Sequence, residues 1–148
     1  MALYILTGVP GCGKSTYCNK ELKDKLIVSS DAIREEFFGT RQNFSNEKKV
    51  WGTLKYRLHK ALEAGKDVVL DATNTTIYAR KSYIEMAKKY ETKCISIYFD
   101  VDKSVALSRN ANRPKEHFVP EEVIENFYKK LQAPTLNEGF DEVIVVRD

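Results

Sequence analysis

The sequence has little cysteine, histidine, tryptophan or proline, and it has no long apolar run. Among its 148 residues are three cysteines, two histidines, one tryptophan and four prolines. The cysteines are odd in number and lack zinc-ligand spacing, so we expect neither a disulfide framework nor a zinc site. Free thiols favour a reducing, cytoplasmic compartment. No apolar stretch approaches ~18 residues and no signal peptide is recognisable, so no membrane partner is expected.

The remaining composition is that of an ordinary globular domain. The chain is 43% hydrophobic and 30% charged, which is enough apolar material to bury a core without covalent staples. We expect residues 1–148 to form a single domain. The net charge of +3 is compatible with an anionic substrate but does not identify one.

The most informative stretch is GVPGCGKST, residues 8–16, which fits the phosphate-binding P-loop pattern G-x-x-x-x-G-K-[ST]. An apolar strand precedes it and a potential helix follows it. Glycines let the loop backbone turn and approach a ligand, so that N–H groups at the helix start can bind phosphate oxygens. Lys14 is predicted to reach the β- and γ-phosphates of ATP, and the Ser15 hydroxyl to bind Mg²⁺. The predicted ATP-binding residues of this loop are Gly8, Gly11, Cys12, Gly13, Lys14, Ser15 and Thr16.

Short apolar strands alternate with helical patterns along the whole chain. The predicted strands are residues 3–6, 26–28, 67–71, 93–99 and 143–146. Predicted helices lie at residues 17–25, 32–38, 77–90, 101–112 and 120–133, with another between a cap at Ser45 or Asn46 and a stop at Gly65. This alternation predicts an α/β fold, a P-loop NTPase of the nucleoside-monophosphate-kinase-like type. Its five-stranded parallel sheet would carry helices on both faces and bind ligands at the carboxyl ends of the strands.

Asp31 follows the second strand at a predicted helix start, with Arg34 three residues further on. Asp31 is either an ordinary helix cap or a carboxylate that accepts the proton of an attacking hydroxyl. The two side chains share one helical face. They form either a surface salt bridge or an acceptor-binding pair, in which Asp31 contacts the hydroxyl and Arg34 a neighbouring phosphate. We favour the functional interpretation because the pair lies at the ligand edge of the sheet.

Asp71 ends the third predicted strand, beside the P-loop. It is either a structural carboxylate or an active-site group that holds Mg²⁺ or orients Asp31 or Arg34. Asn74 lies at the same edge and is a candidate acceptor contact, unless it only forms the turn.

Arg109 and Arg113 lie four residues apart at the end of a predicted helix that Pro114 stops. They form either a solvated basic face or an arginine-bearing lid, at about residues 109–119. In the lid interpretation, Arg113 neutralises the transferring phosphate and Arg109 holds the nucleotide. Phosphoryl transfer needs mainly positioning and positive charge from the protein, which favours the lid.

Together, these segments resemble the kinase module of phage and end-repair polynucleotide 5′-hydroxyl kinases, over nearly the whole chain. The matching segments are GVPGCGKST, Ser30-Asp31-Ala32-Ile33-Arg34, VVLDATN, Arg109-Asn110 with Arg113, and Val119-Pro120. The resemblance implies ATP and Mg²⁺ as cofactors, Asp31 as general base, Arg34 on the acceptor phosphate and Arg113 in the lid. It also implies Asp71 in the active site and Arg109 near the adenine. The bifunctional members carry a phosphatase domain, and we expect a stand-alone kinase here.

The expected function is therefore ATP-dependent phosphorylation of the 5′-OH end of DNA or RNA. The alternative is a small-molecule kinase that acts on a sugar, a nucleoside or a nucleotide-sugar. A GTPase is disfavoured because Asn19-Lys20 is followed by Glu21-Leu22, not by the rest of a guanine-binding motif. A mechanical ATPase is disfavoured because Asp71 is followed by Ala72 rather than by a glutamate.

Overall fold

A parallel sheet forms the centre of the protein in this computed structural model, which describes residues 1–147. The sheet contains β1 (Ala2–Thr7), β2 (Leu26–Ser29), β3 (Val68–Asp71), β4 (Lys93–Phe99) and β5 (Glu142–Val146). In the described residues all five strands are parallel, in the order β2-β3-β1-β4-β5. This arrangement confirms the predicted P-loop α/β fold.

Six α-helices cover the sheet within residues 1–147. They are α1 (Lys14–Glu21), α2 (Ser30–Phe38), α3 (Glu47–Glu63), α4 (Ile77–Lys89), α5 (Lys103–Ala111) and α6 (Glu121–Lys130). Two short 3-10 turns lie at Lys115–His117 and Leu136–Glu138. No helix in the described part of the chain is long and apolar enough to span a membrane.

The core consists of two apolar clusters, one on each face of the sheet. Leu3 and Ile5 of β1 pack with α2, α3 and α4, whereas Leu6 packs with α1 and α5 on the opposite face. Side chains alternate between faces along a strand, so a strand buried on both sides is a continuous apolar run. This explains why the predicted strands had no polar alternation. Helices on both faces leave the carboxyl ends of the strands open for a site.

The helix boundaries differ from the predicted ones where backbone geometry or tertiary contacts decide them. Helix α1 begins at Lys14 instead of residue 17, because Gly13, with φ of 99°, already serves as its N-cap. Asn46, not Ser45, caps α3 by accepting from the Lys49 amide at 3.2 Å. Helix α6 stops at Lys130 instead of residue 133, and the Gln132 amide donates to the Thr75 carbonyl at 2.8 Å.

The register of the sheet brings three loops to one edge. Leu6 and Thr7 end the central strand β1, next to β3, and Ser29 of β2 pairs with Asp71 of β3. The P-loop, the start of α2 and the segment after β3 therefore emerge side by side. The Gly8 amide donates to the Thr73 carbonyl at 3.0 Å and joins the first of these loops to the last.

Candidate active site

The P-loop backbone is shaped by two glycines in the left-handed region. Gly11 has φ of +86° and Gly13 has φ of +99°, conformations that L side chains rarely adopt. A Cβ atom on Gly11 would also lie 2.7 Å from the Ala106 carbonyl oxygen. The Lys14 ammonium donates to the Gly8 carbonyl at 2.8 Å and to the Val9 carbonyl at 3.2 Å. The loop thus curls around its own lysine at the N-terminus of α1, where helix geometry favours anions.

A cleft of about 670 Å³ extends from this loop across the sheet edge. That volume lies within the range of small-molecule sites. Most of the predicted site residues line it: Gly11, Gly13, Lys14, Ser15, Thr16, Asp31, Arg34, Asp71, Arg109 and Arg113. The Cys12 side chain is instead buried in the core, so only its backbone can serve the loop. His117 also lines the cleft. His59, on α3, is not among the lining residues and forms a hydrogen bond of 2.9 Å with the Tyr90 hydroxyl.

Arg34 is the centre of an ion network at the wall of the cleft formed by α2 and α3. Its NH1 donates to Asp31 Oδ1 at 2.9 Å. Its Nε and NH2 donate to the two Glu47 carboxylate oxygens at 2.9 and 2.5 Å. The Arg34 side chain is only 7% exposed, so its charge depends on these partners. The network fixes the orientation of Asp31 relative to the cleft.

The charges in this network stabilise one another. Burial lowers the pKa of Arg34, but hydrogen bonding and charge from Glu47, followed by Asp31, outweigh that effect and raise it overall. The Arg34 hydrogen bond lowers the pKa of Glu47 against the opposing effect of burial, with a further contribution from Trp51. Glu47 therefore remains an anion at neutral pH.

Asp71 faces Lys14 across the same cleft. The pKa of its carboxyl group is raised overall. Burial is the main cause, the Lys14 charge opposes it, and the Asp31 charge adds to it. A desolvated carboxylate next to a second carboxylate gains stability from a cation. This is a suitable environment for a divalent ion, and Mg²⁺ commonly uses one or two carboxylates plus substrate phosphates. No cluster of three His, Cys, Asp or Glu side chains that could hold a metal alone occurs within residues 1–147.

The segment between α5 and α6 covers one side of the cleft. Asn110 fastens it: its amide nitrogen donates to the Val119 carbonyl at 2.5 Å, and its oxygen accepts from the Val119 amide at 2.9 Å. Gln42, on the loop between α2 and α3, donates to the Phe118 carbonyl. Arg109 lies over the P-loop, with NH1 at 3.4 Å from where a Gly13 Cβ would be. The end of α5 and the segment after it thus contact both the P-loop and the loop between α2 and α3.

Arg113 brings a partly buried cation into the cleft. Its NH1 atom is buried and has no hydrogen-bond partner in the described part of the chain. The pKa of Arg113 is lowered overall. Burial is the main cause, and the Arg41 charge lowers the pKa further, while the Asp31 charge opposes both effects. A buried donor without a partner is costly unless a ligand satisfies it. The guanidinium group is therefore suited to an anion bound in the cleft.

Asn74 does not fit its predicted role as an acceptor contact. It is 5% exposed, adopts φ of 44°, and its amide donates to the Leu6 carbonyl at 3.0 Å. Its own carbonyl accepts from Thr7 at 3.2 Å and from Arg80 at 2.8 Å. These bonds join the end of β1 to the turn after β3, which is the structural alternative considered for this residue.

Several cleft residues were not predicted from the sequence. Glu47 bonds Arg34, and the loop between α2 and α3 contributes Arg41, Gln42 and Phe44 to the lining. Arg34 and Glu47 are thirteen residues apart, so no helical spacing relates them. The available signal was the mixture of polar and aromatic residues between two helices at the ligand edge.

Comparison with known proteins identifies the family of the chain. A family model described as "AAA domain" matches residues 3–134, and the chain belongs to that family. The L-seryl-tRNA(Sec) kinase of Methanococcus maripaludis is 32% identical over 94% of this chain and 56% of its own length. The bifunctional polynucleotide phosphatase/kinase of Schizosaccharomyces pombe is 27% identical over 95% of this chain and 32% of its own length.

A solved structure of the Pnkp1/Rnl/Hen1 RNA repair complex supports the fold. One of its chains has a TM-score of 0.78 and 23% identity, covering 88% of this chain and 44% of that one. The predicted resemblance to polynucleotide kinase modules is thus confirmed. This chain spans about half or less of the length of these relatives.

Proposed function

We propose that this member of the AAA domain family transfers the γ-phosphate of ATP to the 5′-hydroxyl end of DNA or RNA. One observation carries the proposal: Asp31, Lys14 and Arg113 line a single cleft, and Arg113 has a buried donor without a partner in residues 1–147. Hydroxyl phosphorylation requires a carboxylate to accept the proton, a P-loop lysine, and a cation that contacts the transferring phosphate.

In the proposed reaction the acceptor oxygen attacks the γ-phosphorus in line, and the bond from that phosphorus to the bridging β–γ oxygen breaks. Asp31 accepts the hydroxyl proton, and ADP leaves. Lys14 neutralises charge on the β- and γ-phosphates, and Arg113 donates to the transferring group. Arg109 holds the nucleotide on the lid side. Arg34 orients Asp31 through their 2.9 Å bond.

Mg²⁺ would be held by the Ser15 hydroxyl and Asp71, both of which line the cleft. When bound, the ion neutralises phosphate charge. The absence of a three-residue acidic cluster in the described residues agrees with an ion bound largely through the nucleotide.

The acceptor side supports an acceptor that carries a phosphate. A guanidinium group has five N–H donors, and Arg34 uses three of them for Asp31 and Glu47. The other two are proposed to bind an acceptor phosphate next to the hydroxyl. A polynucleotide supplies such a phosphate, whereas a simple sugar does not. The identity with the yeast phosphatase/kinase supports the same class of acceptor.

A second candidate acceptor is a seryl group carried by tRNA. The observation that favours it is the 32% identity with the archaeal L-seryl-tRNA(Sec) kinase. The same cleft would present Asp31 to a serine hydroxyl instead of a ribose hydroxyl.

Transfer from γ-labelled ATP tests the proposal directly. The acceptors are 5′-OH DNA and RNA, single- and double-stranded, seryl-tRNA, and a panel of sugars, nucleosides and nucleotide-sugars. We expect label on the oligonucleotide 5′ end, and no label with Lys14→Ala. Label on seryl-tRNA alone would support the second candidate. Label on a small molecule alone would contradict both.

A further inference from the structure

We propose that Phe44 recognises a nucleobase: the 5′-terminal base of the acceptor stacks on the exposed face of the Phe44 ring. This inference deepens the proposed function and rests on it. It names the part of the acceptor that the loop between α2 and α3 reads.

Phe44 lies at the wall of the cleft. The residue lines the cleft together with Asp31 and Lys14, yet its side chain is 60% exposed. An aromatic ring at the wall of a cleft gains binding energy when a flat apolar group covers it. Bases of every sequence have such a face, and base–aromatic stacking is common in proteins that bind single strands.

The exposure of its ring does not by itself distinguish Phe44 from other aromatic residues of the surface. Tyr56 and Tyr78 are 62% and 89% exposed, and single exposed aromatic residues are normal at protein surfaces. What separates Phe44 from them is its contact with the proposed catalytic network. The Arg34 guanidinium carbon lies 4.8 Å from the Phe44 ring centroid and 5.7 Å from that of Trp51. Arg34 in turn bonds Asp31.

This contact fixes where a stacked base would lie. One part of the Phe44 ring is covered by Arg34, so the exposed part is left for a ligand. The donor chain from Arg34 to Asp31 places the proposed general base on the same wall of the cleft. The nucleotide that presents its 5′-hydroxyl to Asp31 is therefore the one whose base is closest to Phe44.

The loop that carries Phe44 is ordered by its own hydrogen bonds. Asn43 Oδ1 accepts from the Ser45 amide at 3.0 Å and from the Ser45 hydroxyl at 2.6 Å. Asn46 caps α3, and Gln42 bonds the Phe118 carbonyl across the cleft. Phe44 thus lies between fixed points on both sides, and less entropy is lost when it binds a ligand.

The same loop supplies a cation for the acceptor backbone. Arg41 lines the cleft, and its ion pair, from Nε to Glu35 at 3.2 Å, involves a Glu35 side chain that is 56% exposed. Exposed pairs of this kind are weak and exchange readily with other anions. A base platform and a phosphate contact three residues apart suit a nucleotide better than a sugar.

The test compares Phe44→Leu and Phe44→Trp with the wild type, and Tyr78→Leu serves as the control, since Tyr78 is exposed outside the cleft. The acceptors are a 5′-OH oligonucleotide with a normal terminal nucleotide and the same oligonucleotide with an abasic one. We expect the wild type to prefer the normal end roughly tenfold in kcat/KM. Phe44→Leu should abolish this preference, and Phe44→Trp and Tyr78→Leu should keep it.

A preference that survives in Phe44→Leu would overturn the inference and leave the proposed function intact. An equal loss on both oligonucleotides would do the same, because a structural defect does not depend on the base. Binding gives an independent readout. Trp51 is the only tryptophan in the sequence, and stacking nearby should quench its fluorescence more with the normal oligonucleotide than with the abasic one.

Nucleosides distinguish the source of the base. Transfer to nucleosides but not to oligonucleotides, reduced in Phe44→Leu, would support base recognition and contradict the polynucleotide proposal. If no acceptor that carries a base is phosphorylated and Trp51 fluorescence is not quenched, both the inference and the proposed function are overturned.

Discussion

The two halves of the cleft are built in different ways. The half proposed to bind the nucleotide is a continuous stretch, residues 8–16, whose backbone is shaped by glycine. The half proposed to bind the acceptor is assembled from side chains of α2, α3 and the loop between them, with Arg34 bonded to Asp31 and Glu47. A backbone cradle fits any nucleoside triphosphate tail, whereas a side-chain network can change with the acceptor. Under the proposed function, the first half would set the reaction type and the second half the acceptor.

Loss of the Arg113 side chain should have the largest effect, because this residue is proposed to neutralise the transferring phosphate. We expect Arg113→Ala to reduce kcat by about 10³- to 10⁵-fold, the range of a cation that stabilises the transferring phosphate. The affinity for ATP, measured by equilibrium binding, should change much less. Arg147→Ala is the control, since Arg147 pairs with Asp100 at the exposed chain end. Comparable kcat values for Arg113→Ala and the wild type would remove Arg113 from the reaction.

Asp31→Asn separates the halves more cleanly. It should lower kcat by about 10²- to 10⁴-fold, since it removes the proton acceptor, while ATP binding by the P-loop remains. The Asn side chain still accepts a bond from Arg34, so the fold and the network should survive. Isothermal titration with ATP and steady-state transfer measure the two effects. Near-normal turnover in Asp31→Asn would contradict the assignment of Asp31 as general base.

Glu47→Gln should have the smallest effect, and it tests whether the acceptor half depends on its ion network. The substitution leaves buried Arg34 with one charged partner, so we expect a loss of about 1–3 kcal/mol in the free energy of unfolding at pH 7. The pKa of Glu47 is lowered in the folded state from its usual value of 4.5. Its contribution is therefore complete above pH 4.5 and is lost as the pH falls through the lowered folded-state pKa.

Urea unfolding at a series of pH values measures this dependence. The difference between wild type and Glu47→Gln should shrink towards acid pH. Glu36→Gln is the matched control, because Glu36 pairs with Arg57 at 2.8 Å at the exposed surface and should cost at most about 0.5 kcal/mol. A difference that grows towards acid pH would show that Glu47 does not act through its charge.

Most of the fold could be predicted from local patterns. Strand β4 was predicted with its exact limits, and the buried strands were recognisable as apolar runs between helical segments. The boundaries that were wrong depend on contacts outside the segment. The early stop of α6 accompanies a bond from the Gln132 amide to Thr75, more than fifty residues away, and no helical pattern in residues 120–133 indicates it.

The candidate site was predictable to a similar degree. Most of the P-loop, Asp31, Asp71, Arg109 and Arg113 line the cleft as expected, because each lies near the end of a parallel strand or of α5 at this edge of the sheet. Their chemical roles remain predictions. Asn74 was placed at the correct edge, but its buried position and its bond to Leu6 could not be deduced from the spacing.

The sequence by itself determined the phosphate loop, since glycine spacing and a following helix fix backbone conformation over a few residues. It also determined the parallel sheet, because apolar runs must be covered on both faces. Only the tertiary structure decided the partners of Arg34 and the exposure of the Phe44 ring. Those depend on how α2, α3 and the lid segment pack around one cleft, and such contacts join residues whose separation in the chain follows no local period.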